Sequence, residues 1–157
     1  NLGNGFQVIG DYSQAIECYQ RALKMEPNNL DFKLNLGNAY SRMNSYEKAT
    51  QIYEEIINLN PGNPSAHFYL AQIQLFLGNF QAGWMEYEWR WLTIENDSKP
   101  LKTSRQAWQG EPFEGCLYIW AEQGMGDQIL HASMLPELRK FPQKKIISKP
   151  VTNTLVG

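Results

Sequence analysis

The segment Glu122-Gln123-Gly124-Met125-Gly126-Asp127 places a carboxylate directly behind two closely spaced glycines. Glycines let a ligand approach the backbone, and a carboxylate at such a position can take a proton from a bound hydroxyl. If a helix begins there, its free amide N–H groups can also hold an anionic group. By residue type alone, Asp127 reads first as a helix N-cap, a role worth about 0.5–2 kcal/mol. Gly124-x-Gly126-x-x-Ile129 lacks the third glycine of a dinucleotide fingerprint, and no acidic residue follows about twenty positions on, so an NAD site is excluded. No Gly-Lys-Ser/Thr follows either, which rules out a phosphate-cradling P-loop.

A second chemistry resides in carboxamides. Asn1-Leu2-Gly3-Asn4 and Asn35-Leu36-Gly37-Asn38 each set two asparagines three residues apart, on one side of a helix. A third copy of the pattern offers Tyr69 and Gln72. A carboxamide both donates and accepts, as a peptide group does, so a ladder of Asn1, Asn4, Asn35, Asn38 and Gln72 could hold an extended polypeptide by its backbone. The plain alternative for Asn35 and Asn38 is a solvated polar stripe on an amphipathic helix. Three Trp and a Tyr crowd Gly83-Trp84-Met85-Glu86-Tyr87-Glu88-Trp89-Arg90-Trp91. They read as a joint against a covering domain in preference to a sugar-stacking platform, because large aromatics more often pack than bind. His131 stands one turn after Asp127 among apolar neighbours and reads as packed or merely polar, and His67 as a helix-face residue. Cys18 and Cys116 are far apart without a Cys-x-x-Cys or Cys/His cluster, so no metal site and no disulfide framework are expected. A reducing, cytoplasmic setting fits that usage.

The elements that must carry these residues come from an internal repeat. Gly10 to Tyr19, Asn44 to Tyr53 and Gly78 to Tyr87 superimpose at a spacing of 34, as do Pro27 and Pro61. The pattern predicts helices near 1–9, 12–25, 30–43, 46–59, 64–77 and 80–94. Gly3, Gly37 and Ala71 would let a partner helix approach, Ala15, Ala49 and Gly83 do the same on the second helix, and Tyr19, Tyr53 and Tyr87 fill the space beside them. Pro27 and Pro61 end their helices, whereas the third repeat has Glu95 at that place. Residues 95–115 are rich in turn formers and read as a linker. Then come strand 116–121, the glycine loop, a helix from Asp127 to about Lys140, and strand 145–148, a βαβ unit requiring a parallel sheet. Two strands cannot complete such a sheet. The expected fold is therefore mostly α: a solenoid of three helix pairs over 1–94, a linker, and an incomplete α/β, Rossmann-like segment over 116–157.

Charge separates the same regions. The 157 residues sum to -2, but residues 1–98 carry 6 basic and 11 acidic side chains, while residues 99–157 carry 8 and 5. This balance argues against nucleic acid or anionic membrane as a partner, and no apolar run nears the ~20 residues of a membrane span. The chain opens at Asn1, inside a helical pattern and without a starting Met, and reads as a piece of a longer protein.

A period of 34 with this small/large/small order resembles the tetratricopeptide repeat. The paired asparagines resemble the ladder in the repeats of O-linked N-acetylglucosamine transferases. Trp108-x-Gly110-x-Pro112, Gly115, Ala121 to Ile129, Leu135-Pro136 and the stretch Gly83 to Trp91 together resemble bacterial tetratricopeptide-repeat glycosyltransferases, whose second domain is similar to the acceptor-side half of the GT-B heptosyltransferases. Departures are Ser133-Met134, where many relatives have Arg-Tyr, and His131, where an aromatic is common. The resemblance implies Asp127 as the base that deprotonates the acceptor, Gln123, Gly124, Met125 and Gly126 as its binding loop, and a nucleotide sugar as donor. It also implies that the donor is held mainly by a C-terminal half beyond Gly157, so that this stretch carries no cofactor and is inactive by itself. Two other readings stand beside it. One is a pure interaction scaffold, and the other is a scaffold that dimerises through the Trp-rich helix or the unpaired sheet edge.

Overall fold

The computed structural model describes residues 2–93, 103–104, 108, 116–120, 136 and 145–149. The chain divides into two compact units, Asn1–Asn96 and Asp97–Gly157. The first is a right-through helical array: α1 (Leu2–Val8), α2 (Tyr12–Met25), α3 (Leu30–Arg42), α4 (Tyr46–Leu59), α5 (Pro64–Phe76) and α6 (Phe80–Tyr87), closed by a 3-10 turn at Glu88–Leu92. The expected helices are present with their ends within a residue or two, except the last.

Local chemistry explains where three of the helices begin. Asn29 and Asn63, one period apart, cap α3 and α5 by accepting the amide hydrogens of Phe32 and Ala66 at 3.1 and 3.0 Å. Pro64 follows as the first helical residue, where its missing N–H costs nothing. Asp11 caps α2 through the amide of Gln14 at 3.1 Å. Inside each pair the chain reverses through one left-handed residue, Gly10, Asn44 and Gly78, with φ of 81°, 57° and 84°. Glycine, and to a lesser degree asparagine, adopts that conformation at low cost.

Packing follows the repeat. Ala15, Tyr19, Leu36 and Ala39 form one buried cluster, and Ala49, Tyr53, Ile56, Ala66, Leu70 and Ile73 the next. Tyr40 and Ile52 pack against both, so the core runs through the array without a break. A Cβ added at Gly3 would lie 2.6 Å from Tyr19 Cε1, and one at Gly37 would lie 2.6 Å from Tyr53 Cε1. The tyrosine rings therefore occupy the space that the missing side chains leave. In the third repeat, Gly83 meets Leu75 instead, at 2.8 Å.

The last helix departs from the expectation of 80–94. It stops at Tyr87, and the aromatic residues after it wind into the 3-10 turn. Trp89 stacks on His67 of α5, with centroids 4.1 Å apart and planes 5° from parallel. The Arg90 guanidinium lies over the Tyr87 and Trp91 rings and donates to the Tyr87 carbonyl. The Thr93 hydroxyl closes the turn on the Arg90 carbonyl at 2.9 Å. Trp89 thus packs on its own repeat, while Trp84 is 54% exposed within this unit.

In the second unit, β1 (Cys116–Trp120) and β2 (Lys145–Lys149) pair in parallel, with Cys116 opposite Lys145 and Trp120 opposite Lys149. Leu117 is buried and Tyr118 exposed, as alternation along a strand requires. Parallel neighbours cannot be joined by a tight turn. The helix expected from Asp127 to Lys140 falls, apart from Pro136, outside the described residues.

Candidate binding groove

The first helices of the three pairs, α1, α3 and α5, bring one face each to a groove of 980 Å³. Asn4, Asn35, Asn38 and Gln72 all line it, together with Tyr69. Asn1 lies outside the described residues. Spacing explains the convergence: Asn4, Asn38 and Gln72 are one period apart and so occupy the same place on successive first helices.

The amides are not all free to turn. The Tyr53 hydroxyl, on a ring only 1% exposed, donates to Asn38 Oδ1 at 2.7 Å. The Tyr19 hydroxyl donates to Asn4 Oδ1 at 2.6 Å, with Gln7 Oε1 also near it at 3.1 Å. Gln7 in turn donates from Nε2 to the Asn35 backbone carbonyl at 3.0 Å, a bond from α1 to α3 that fixes its own orientation. Burial raises the pKa of the Tyr19 phenol above its ordinary value, and the neighbouring Cys18 adds to the shift. Burial does the same, more strongly, at Tyr53, where Tyr69 adds to the rise and Arg42 opposes it. Both hydroxyls thus remain proton donors across the physiological range.

Gln7, Tyr12, Ser41, Arg42, Asn44, Tyr46 and Phe76 also line the groove, and the asparagine pattern alone does not find them. Gln7 and Ser41 stand three residues after Asn4 and Asn38, and Arg42 four after Asn38, so extending the helical spacing by one turn would have reached them. Tyr46 and Phe76 meet with centroids 5.0 Å apart, a contact between α4 and α5 that no local spacing reveals.

His67 is not in the groove. It is a buried joint residue of the third repeat, with Nδ1 2.5 Å from Glu86 Oε2 and Nε2 2.9 Å from the Pro61 carbonyl. Both ring nitrogens face acceptors. Gln123, Gly124, Met125, Gly126, Asp127 and His131 lie outside the described residues. Among the described residues no group of three or more His, Cys, Asp or Glu side chains could hold a metal ion, and no helix is long and apolar enough to cross a membrane.

Comparison with known proteins agrees with the helical geometry. Family models for the TPR repeat and the tetratricopeptide repeat match residues 8–44 and 30–73. Protein FlbA of Caulobacter vibrioides is 36% identical over 69 residues, which make up 43% of this chain and 12% of that protein. The second TPR of Spaghetti (RPAP3), solved with the HSP90 peptide SRMEEVD, superposes with a TM-score of 0.52 at 30% identity, covering 55% of this chain and 81% of that one. The Sgt2 TPR domain from Aspergillus fumigatus gives a TM-score of 0.53 at 28% identity, covering 55% and 58%. The helical unit of this chain is an array of tetratricopeptide repeats, a protein-interaction architecture.

Proposed function

We propose that the repeat unit is a polypeptide-binding module whose site is the groove of α1, α3 and α5. The observation that carries this reading is the convergence of Asn4, Asn35, Asn38 and Gln72 on one open channel, where carboxamides can pair with an extended backbone. The peptide bound to the second TPR of Spaghetti supports it by likeness. Peptides selected from a random displayed library on the 157-residue chain should lose at least about tenfold in affinity when Asn35→Ala and Asn38→Ala are combined, the scale of two or more lost hydrogen bonds. Unchanged affinity would end the reading.

A second reading adds catalysis: residues 116–157 begin a glycosyltransferase-like domain of the complete protein, which uses a nucleotide sugar. It is supported by the parallel pairing of β1 with β2, the arrangement that a βαβ unit has. In this reading Asp127 takes the proton of the acceptor hydroxyl. Asn caps a helix about as well as Asp but cannot accept that proton. Asp127→Asn in the complete protein should keep its melting temperature and lose about two or more orders of magnitude in transfer rate. Retained activity would sink the assignment of Asp127 as the base and leave it as a cap.

A further inference from the structure

The third repeat leaves open a place that the second fills. In each repeat the residue after the reversal donates its backbone N–H to the same first-helix carbonyl: Asp11 to Phe6, Ser45 to Tyr40 and Asn79 to Gln74, each at 2.9 Å. Positions 6, 40 and 74 are therefore structurally equivalent, yet the first two hold aromatic rings and the third a carboxamide. Phe6 packs against one buried cluster and Tyr40 against both. Lys48 stands over the Tyr40 ring, with Nζ 5.2 Å from its centroid, and Gln20 donates to the Tyr40 hydroxyl at 3.0 Å. One period later the same three places hold Gln74, Ala82 and Glu54. Two of these exchanges shorten a side chain, and the third removes a donor.

An open pocket of about 680 Å³ lies at that place, walled by Gln74, Phe80, Ala82 and Met85, and no charged side chain is among the described residues that line it. Gln74 Oε1 is closed off from water and has no hydrogen-bond partner among the described residues. Glu54 cannot repeat the bond of Gln20, because an ionised carboxylate only accepts. A buried acceptor left unpaired costs stability, so the pocket wants a donor that the repeat does not supply. Chemistry narrows that donor. An ammonium or guanidinium group would lose its hydration between neutral walls without a counter-charge, and an anion brings no hydrogen. A ring with a neutral hydroxyl suits both the apolar walls and the acceptor, and the second repeat holds such a ring at the equivalent position. Phe80 and Met85 are 62% and 70% exposed, too open to enclose a free small molecule, whose sites bury most of its surface. The ring must therefore be held in place by the chain that carries it.

We propose that this pocket binds a tyrosine side chain of a partner polypeptide, with the ring against Phe80, Ala82 and Met85 and the hydroxyl donating to Gln74 Oε1. The last torsion of a glutamine side chain is broad, so the amide can turn its oxygen to the entering hydroxyl. No described residue lines both this pocket and the groove of α1, α3 and α5, and the inference does not depend on the polypeptide reading of that groove.

The test follows the amide resonances of the isotopically labelled full chain as N-acetyltyrosinamide or N-acetylphenylalaninamide is added at millimolar concentration. The tyrosine probe should shift the Gln74 side-chain amide and the Ala82 backbone amide. It should bind roughly three- to tenfold more tightly than the phenylalanine probe, the scale of one neutral hydrogen bond. Gln74→Leu, similar in size but without the acceptor, should erase that preference, and Gln74→Tyr should fill the place and abolish binding of both probes. Equal binding of the two probes to wild type, a preference that survives Gln74→Leu, or shifts confined to residues of the groove would overturn the inference, and the wild-type comparison decides it even if a variant does not fold. The polypeptide source is read from displayed peptides selected on wild type and lost on Gln74→Tyr. Those clones should share a tyrosine, and clones without one, or no such clones, would overturn that source.

Discussion

The first two repeats and the third solve the same packing problem differently. In the first two, a glycine on the first helix admits a tyrosine from the second, and the tyrosine hydroxyl reaches through to an asparagine on the groove side. One ring therefore fills the core and orients an amide of the groove. In the third, Ala71 replaces the glycine and Gln72 the asparagine, and Tyr87 is only half-buried. There the helices are held on the other side, by His67 between Glu86 and the Pro61 carbonyl and by the stack on Trp89. Packing and groove geometry are coupled in two repeats and uncoupled in the last. Among the described residues, Gln72 lines the groove without the tyrosine hydrogen bond that Asn4 and Asn38 accept.

Truncating the rings should break the comparison most visibly. Tyr53→Ala removes a fully packed aromatic and should cost about 3–5 kcal/mol in denaturant unfolding, whereas Tyr87→Ala should cost less than half as much. Equal costs would mean that the third repeat depends on its tyrosine as the second does.

A smaller effect separates glycines that hold space from those that do not. Gly37→Ala forces a methyl against the Tyr53 ring and should destabilise by about 1–3 kcal/mol. Gly5→Ala, where nothing lies within 4 Å, should stabilise α1 by up to about 1 kcal/mol through helix propensity. Thermal melts of the two variants should move in opposite directions.

The smallest change sharpens the coupling itself. Tyr53→Phe keeps the ring and should cost about 1 kcal/mol at neutral pH. Burial holds the Tyr53 phenol above a phenol's ordinary value of about 10, so the unfolded chain releases this proton first. The stabilisation is complete below that value and is lost as pH rises above it. Alkaline titration of the melting temperature should therefore fall less steeply in Tyr53→Phe than in wild type, and parallel curves would refute the assignment.

Much of this architecture was legible before any coordinates. The spacing of 34 placed the six helices, because each repeat carries its own start and stop signals: Asn29 and Asn63 as caps, Gly10, Asn44 and Gly78 at the reversals, Pro27 and Pro61 at the ends. That Gly3 and Gly37 admit the partner helix was legible for the same reason, whereas only the structure gives the space they leave to the rings of Tyr19 and Tyr53. The end of α6 was not. No proline marks it, and it is set by Trp89 and Arg90 folding back on residues 3 to 22 positions earlier.

The groove divides along the same line. The sequence by itself determined which positions recur on the first helices, and hence that Asn4, Asn38 and Gln72 share one face, because helical periodicity is a property of neighbouring residues. Only the tertiary structure decided which way the amides point, which charge stands among them, and that Tyr46 meets Phe76. Those facts depend on atoms brought together from 15 to 30 positions apart. Their geometry is set by how successive helix pairs stack, and no short-range spacing encodes it.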